Sequence, residues 1–486
     1  MLPEELINLV NDVISCRCER QNVELKAAHE GTPERLYDTL SAFANQRGGG
    51  VIVFGVDERA GFEVVGVYDA QDLQAKVTSK ALQMEPVVRP VFTVAEMGGR
   101  TIVGAEVAEC DPLSKPCFYR GSGRIRGSYV RVGEADLPMT EYEVYSYEAF
   151  RRQIHDELRV VERAETADID RGALEEYLVS LRRAKPNLAR QSDARILELQ
   201  GLVDGGVPTV AGLVLLGEYP QAFLPQLCVT ALVVPGTQVG DVGEAGERFV
   251  DNQRIEGRLP QMLEATLAFV RRNMRRSTVI DEDGRRADRD EYPMVAVREL
   301  VLNALIHRDY SIHTEGSPVR VVLYADRIEV ESPGGLYGRV TVEDLGHVPA
   351  DTRNPFLTGA MEVLGVTENR FSGIPTVMAE LEGAGLPPAT FESRRGMFRA
   401  TLRNGSMETR DRDVVSGPGG LSDTQRKILA FCSEPRSRAE VAELLGVDTL
   451  PYVTRRYLRP LVDAGLLRLT IPDAPRSKNQ RYVAVG

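Results

Sequence analysis

The chain of 486 residues has no tryptophan, only five histidines and only six cysteines. The cysteines, Cys16, Cys18, Cys110, Cys117, Cys228 and Cys432, are scattered. None stand at Cys-x2-Cys spacing and no histidine clusters with them, which excludes a zinc finger or ribbon. Cys16-Arg17-Cys18 is a weak redox or metal signal. The missing disulfide framework makes a reducing cytoplasm the expected compartment. No run of about 18 apolar residues exists, so no membrane span is expected. The start, Met1-Leu2-Pro3-Glu4-Glu5, is acidic and amphipathic, unlike a signal peptide. No Gly-x4-Gly-Lys-Ser/Thr phosphate loop occurs, which argues against a motor helicase. Net positive charge is lacking too: 59 Lys and Arg face 71 Asp and Glu, a balance of −12. Any nucleic-acid contact must therefore use a local basic face.

What is there begins with Arg298-Glu299-Leu300-Val301-Leu302-Asn303-Ala304-Leu305-Ile306-His307-Arg308-Asp309-Tyr310. Its apolar residues recur at helical spacing. Glu299, Asn303 and His307 then share one face, four residues apart. A carboxylate and an amide one turn apart can activate a water and hold magnesium beside a triphosphate. The plain alternative is a buried polar row that satisfies neighbouring backbone. Downstream, Arg327-Ile328-Glu329-Val330-Glu331 reads as a strand that runs into Ser332-Pro333-Gly334-Gly335-Leu336, a turn where backbone can approach a ligand. Thr352-Arg353-Asn354-Pro355 and Glu368-Asn369-Arg370-Phe371-Ser372-Gly373-Ile374-Pro375 follow.

Together these motifs resemble the ATP-binding module of the GHKL family, in the divergent form of bacterial proteins labelled RecG-like. The resemblance covers roughly residues 205 to 403. It implies Glu299 as general base of a weak ATPase and Asn303 as holder of magnesium. His307, Ser332, Gly334, Gly335, Ser372 and Gly373 would complete the cofactor site for ATP or ADP. Ser332 stands where the family has an adenine-reading Asp, so charge assistance is lost there.

The first stretch, residues 1–145, reads as a small α+β domain. Leu2 to Cys16 is an expected helix and Val23-Glu24-Leu25-Lys26 a strand. Thr32 and Pro33 are the expected cap and first residue of a helix that continues through Leu40-Ser41-Ala42-Phe43-Ala44-Asn45. Gly48-Gly49-Gly50 then turns into Val51-Ile52-Val53-Phe54-Gly55-Val56-Asp57. Further strands are expected near Phe92-Thr93-Val94, Thr101 to Val107 and Tyr129-Val130-Arg131-Val132-Gly133. This string resembles the Schlafen/AlbA-type nucleic-acid-binding domain. The resemblance implies, for nuclease members, a metal held by Glu19, Glu24 and Asp57 with Lys26 nearby. Such hard oxygen ligands suit magnesium or manganese. The alternative is an exposed Glu24–Lys26 ion pair and a turn at Asp57. Nucleic acid is expected on Lys26, Arg47, Arg120, Arg124, Arg126 and Arg131, with Arg120-Gly121-Ser122-Gly123-Arg124-Ile125-Arg126 as a flexible basic hairpin.

Residues 146–204 read as a charged helical connector with dimerisation potential. In residues 205–403, Thr209 to Gly217 and Val229 to Val234 read as buried strands and Leu259 to Met274 as a long helix. Residues 404–420 form a linker rich in turn formers. Residues 421–486 offer three helices and two β-type runs, which looks like a winged helix-turn-helix. This part carries 11 Lys and Arg against 7 Asp and Glu, a net of +4, leaving −16 for the rest. Thr454, Arg455, Arg456 and Arg459 on the third helix and Arg476, Lys478 and Arg481 on the wing are the expected DNA contacts.

The expected fold class is a multidomain α+β protein. It would comprise an N-terminal AlbA/Schlafen-like domain, a GHKL-like α/β sandwich and a C-terminal winged helix. The expected function is a nucleic-acid-binding, DNA-binding transcriptional regulator that binds ATP with Mg2+ and forms a homodimer. The alternative is a metal-dependent Schlafen-type RNA or tRNA endonuclease acting in phage defence.

Overall fold

The structure is a computed structural model. It describes residues 1–243, 246–280, 286–367, 372–394, 396–405, 423–445, 457–463, 466–471 and 480–484. These fall into two compact units, Met1–Leu402 and Arg403–Gly486. No described helix is long and apolar enough to cross a membrane.

Helix α1 (Pro3–Cys16) starts with a proline and two acidic residues in its first turn, both suited to a helix N-terminus. Leu6, Val10 and Val13 recur at helical spacing and are its buried residues. They cover one face of a four-stranded sheet built from β1 (Val23–Lys26), β2 (Gly50–Phe54), β3 (Val91–Met97) and β4 (Arg100–Val107), in the order β1-β2-β4-β3. β1 and β2 are parallel; the other pairings are antiparallel. Strand alternation divides the cores. Val53 joins α1, whereas Ile52 and Phe54 pack with Leu40 and Phe43 of α2 (Tyr37–Asn45) and Leu73 and Val77 of α3 (Ala70–Ala81).

Helix α2 begins later than the sequence suggests. The Thr32 hydroxyl pairs with the Tyr68 hydroxyl at 2.9 Å, so it caps no helix. The expected basic hairpin after Arg120 is instead a turn and a short helix, α4 (Gly123–Gly127). Gly127 lies so close to the Tyr119 backbone that an added Cβ would sit 2.6 Å from its carbonyl oxygen. A hairpin of β5 (Tyr129–Val132) and β6 (Ala135–Pro138) then leads to α5 (Glu141–Arg152). Thr140 and Glu143 cap α5 reciprocally, at 3.2 and 2.7 Å.

A second, six-stranded sheet follows. Its strands are β7 (Val229–Val233), β8 (Asp251–Ile255), β9 (Val319–Leu323), β10 (Arg327–Pro333), β11 (Thr390–Arg394) and β12 (Met397–Arg403), in the order β8-β7-β9-β10-β12-β11. Val319, Val321, Ile328 and Val330 join the apolar core with α9 (Leu259–Asn273) and α10 (Met294–Ile306). Intervening residues form an ion-pair ladder: Arg320 and Arg399 both bond Glu331, at 2.9 Å each. One apolar and one charged face give a two-layer sandwich.

Helices α6 (Arg171–Ala184) and α7 (Asp193–Leu199), in the stretch read as a connector, send Tyr177, Leu178, Leu181, Ile196 and Leu197 into this same core. The run Val210–Leu216 is helix α8, not a strand. A short apolar run fits either form, and the Thr209 hydroxyl decides it by accepting from Gly212 N at 3.1 Å. Helices α11 (Pro355–Val363) and α12 (Gly373–Gly383) complete the layer.

The second unit contains α13 (Asp423–Phe431), β13 (Arg436–Ser437), α14 (Arg438–Leu445), α15 (Arg459–Asp463), β14 (Leu467–Leu469) and β15 (Arg481–Ala484). Its sheet order is β13-β15-β14, over a core that includes Ile428, Val441, Leu458 and Tyr482.

Glu157 is fully buried, and its carboxylate accepts from Phe356 N at 3.0 Å and Leu357 N at 2.7 Å, in the first turn of α11. Burial drives its carboxyl up to about 7, against the pull of these two bonds. Glu157→Ala strands the buried Leu357 N–H, at about 1–3 kcal/mol, and the half-buried Phe356 N–H beside it. A lowered thermal unfolding midpoint is expected; an unchanged midpoint overturns the capping role.

Candidate functional site

Helix α10 is apolar over most of its surface because it lies between β10, α9 and α12. Its last carbonyls find no partner inside the helix. Three side chains supply them. The Ser332 hydroxyl donates to Ala304 O at 2.8 Å, the Tyr310 hydroxyl to Leu305 O at 2.9 Å, and Asn354 Nδ2 to Ile306 O at 2.7 Å. The strand end, the following loop and the Thr-Arg-Asn-Pro motif therefore converge on one helix terminus.

Arg298, Glu299 and Asn303 break the apolar pattern on the side facing α12. There a cavity of about 570 Å³ opens. Glu299, Asn303, His307, Ser332, Gly334, Gly335, Ser372 and Gly373 all line it, so the expected nucleotide site is brought together in one place. Gly373 opens α12 close against the polar row. A Cβ there would meet Glu299 Oε2 at 3.2 Å and Asn303 Nδ2 at 3.3 Å. The first-turn N–H groups of α12 thus lie beside a carboxylate and an amide, an arrangement suited to an anion with a hard cation. At the other end of the row, Gly334 adopts φ +101° and a Cβ would stand 2.6 Å from Asp309 Cβ. Only glycine permits that contact.

His307 follows α10 and exposes its side chain into the cavity. Desolvation, then the Arg353 charge, hold its imidazole down to about 4, so it is neutral at pH 7. Asp309 is fully buried. Its carboxylate pairs with Arg353 Nη1 at 2.5 Å and accepts from the Tyr142 hydroxyl at 2.7 Å and Ser311 N at 2.8 Å. Burial alone would raise its carboxyl, but Arg353 and these donors outweigh it and hold it below the usual range. Arg353 also donates to Gly335 O at 3.0 Å. The sequence singled out Thr352-Arg353-Asn354-Pro355 without assigning it a role. Nothing in the sequence signalled Tyr142.

The expected metal site in the N-terminal domain needs correction. Glu19 and Glu24 do converge, but on Arg131: Arg131 Nη1 lies 2.7 Å from Glu24 and 3.0 Å from Asp136, and Nη2 lies 3.2 Å from Glu19. The Arg131 side chain is 1% exposed. Lys26 pairs with Glu24 as well. Asp57 instead accepts from Arg59 N at 3.0 Å in its own turn. A guanidinium occupies the place a divalent ion would need, so these residues do not fit a metal. Among the described residues, no group of three or more His, Cys, Asp or Glu is placed to hold one. Desolvation first, with the Glu24 and Glu58 charges, pushes Glu19 up to about 7 against the Leu25 N–H bond.

The expected nucleic-acid contacts divide. Arg131 is buried and unavailable. Arg124 pairs with Glu148 and stacks over Phe118. Arg120 is exposed and donates to Leu82 O at 2.6 Å; Arg126 is exposed. Arg47, also exposed, bonds Thr341, Glu343 and Asp344. In the second unit, Arg459 is exposed on α15, and Arg481 donates to Pro435 O at 3.1 Å and lies 3.3 Å from Glu440. Thr454, Arg455, Arg456, Arg476 and Lys478 lie outside the described residues, as do Glu368 to Phe371.

Three families match parts of the chain. Residues 19–140 match the family described as "Schlafen, AlbA_2". Residues 316–402 match the one described as "Putative ATP-dependent DNA helicase recG C-terminal". Residues 425–483 match "Filamentation induced by cAMP protein Fic-like, C-terminal domain". The chain is thus a multidomain α+β protein that joins a Schlafen/AlbA_2-type domain to a recG C-terminal HATPase-type domain. Helix α10 precedes the second matched span but lines the same cavity. Among solved structures, the chain is similar to the DIP2311 protein of Corynebacterium diphtheriae, 18% identical over 99% of this chain and 97% of that one, with a TM-score of 0.38. It is also similar to the N-terminal domain of a RecG-related protein of Nitrosomonas europaea, 26% identical over 28% of this chain and 93% of that one, with a TM-score of 0.23. No curated protein matches.

Two tests follow from this geometry. Arg131→Met leaves three carboxylates facing one another without their cation, which costs about 3–5 kcal/mol. The N-terminal domain should melt earlier, and added magnesium or manganese should not restore it. Restoration by either ion would reinstate the metal reading. His307 has a folded value below its ordinary 6.5. Its contribution is therefore present above about 6.5 and lost as pH falls through about 4. Thermal unfolding of His307→Asn against wild type should lose less stability across that window; parallel curves would refute the depressed, neutral histidine.

Proposed function

We propose that this chain is a nucleic-acid-binding regulator whose central domain binds ATP or ADP with magnesium. The observation that carries the reading is the convergence of Glu299, Asn303, the α12 N-terminus and the Gly334-Gly335 turn on one cavity of about 570 Å³. That volume is in the range of small-ligand sites. The α12 N–H groups would receive phosphate oxygens. Magnesium commonly takes one or two protein ligands and completes its shell with water and phosphate. The Asn303 amide oxygen would supply such a ligand. Glu299, beside it, would orient a water.

Turnover is expected to be slow or absent. Ser332 has already spent its proton on Ala304 O, so it can only accept, without a charge. Losing one charge-assisted hydrogen bond weakens binding by about 1.5–3 kcal/mol, or roughly ten- to a hundred-fold. The match of residues 19–140 to the Schlafen, AlbA_2 family supports nucleic-acid binding. So does the second unit, where described helices and a three-stranded sheet accord with a winged helix of net positive charge. Nothing in the Arg131 cluster favours the endonuclease reading.

Calorimetry on the full chain tests the nucleotide site. Magnesium-dependent ATP or ADP binding is expected at about micromolar to millimolar Kd. Asn303→Ala should remove it, whereas Glu299→Ala should keep it and abolish any residual hydrolysis. No heat up to several millimolar nucleotide would refute the reading.

A further inference from the structure

The wall of the cavity between Leu336 and Arg353 has two working faces. Its inner face presents Tyr337, Val340, Leu345 and Arg353 to the cavity. Its outer face meets the N-terminal domain. Arg47 bonds the Thr341 hydroxyl, Asp344 at 3.1 Å and Glu343 at 3.4 Å. At its far end Arg353 pairs with Asp309, which holds Tyr142 of α5, the helix that directly follows the N-terminal domain.

The two anchors differ in kind. The Arg353 side chain is 8% exposed and Asp309 1%, so that end is stiff. The Arg47 side chain is 57% exposed, and its ion pairs are solvated and readily exchanged. Between them the wall has little regular structure beyond one short 3₁₀ turn, Val342–Asp344. Gly338 and Gly346 turn it at φ +82° and +81°. Such a segment shifts at low cost.

We propose that this wall couples the cavity to the nucleic-acid face of the N-terminal domain, with Glu343 and Asp344 masking Arg47 while the cavity is empty. The inference rests on the nucleotide reading above. A ligand that draws Val340 and Leu345 onto itself moves the acidic turn away from Arg47. The freed guanidinium then meets a phosphate, whose charge it had been matching with carboxylates. Each ligand favours the same arrangement of the wall, so the effect is reciprocal.

The test is fluorescence anisotropy of labelled single-stranded DNA, single-stranded RNA and duplex DNA with the full chain, with and without magnesium-ATP at a concentration calorimetry finds saturating. Magnesium-ATP should tighten binding of at least one of them about five-fold or more. In the double variant Glu343→Gln, Asp344→Asn, affinity should stand at the tight level already, and ATP should add nothing. Tyr142→Phe, which keeps the ring but loses the bond to Asp309, should shrink the wild-type ratio. The inference is overturned if ATP binds and nucleic-acid affinity stays constant, or if the double variant keeps the full ratio. It is overturned too if the chain binds none of the three nucleic acids. Absence of ATP binding in the calorimeter instead removes the nucleotide reading, and this inference with it.

Discussion

Asp309 and Arg353 form an ion pair with both side chains almost wholly out of water. Separated from either partner, the other would remain as an uncompensated buried charge, at a cost of about 3–5 kcal/mol. The surrounding structure follows from keeping them together. Asp309 must sit against the Gly334 turn, which excludes a side chain there. Arg353 must reach the Gly335 carbonyl, which brings the end of β10 to the start of α11. Its neighbour Asn354 then closes the carboxyl end of α10. Tyr142 brings α5 to the same spot.

The N-terminal domain repeats the solution with its signs exchanged. There one cation, Arg131, lies among Glu19, Glu24 and Asp136. Thr39 of α2 donates to Asp136 at 2.7 Å, and Arg131 donates to Val23 O at 3.1 Å. The cluster ties the β5–β6 hairpin to β1 and α2. Carboxylates that would serve a metal are thereby used as structural acceptors. The same hairpin leads into α5, so one buried charge cluster lies at each end of a short stretch of chain. That stretch runs from the Schlafen/AlbA_2-type domain to Tyr142, whose hydroxyl bonds Asp309 beside the Gly334 turn.

Local chemistry made much of this readable in advance. Helical geometry puts Glu299, Asn303 and His307 on one face, because a spacing of four leaves no alternative. The Gly334-Gly335 turn was readable because a strand ending in Ser-Pro-Gly-Gly cannot continue. Helix α1, β1, β2, β5 and α9 follow from apolar period and caps. Where sequence and structure part, the cause is equally physical. Val210–Leu216 is apolar throughout, and such a run carries no period to separate helix from strand. Thr32 looks like a cap only until Tyr68, distant in sequence, takes its hydroxyl.

The sequence by itself determined the element types with clear periodicity, the polar row of α10 and the glycine turn, because these depend on residues a few positions apart. It pointed to Glu19 and Glu24 as carboxylates that gather in the N-terminal domain, but the third member is Asp136, not Asp57. Only the tertiary structure decided what they gather around. Arg131 is 107 residues from Glu24 and Tyr142 is 167 from Asp309. No spacing rule reaches that far. Whether a carboxylate faces a guanidinium, a tyrosine or a metal depends on which distant segment fills the space before it, and that is settled by packing.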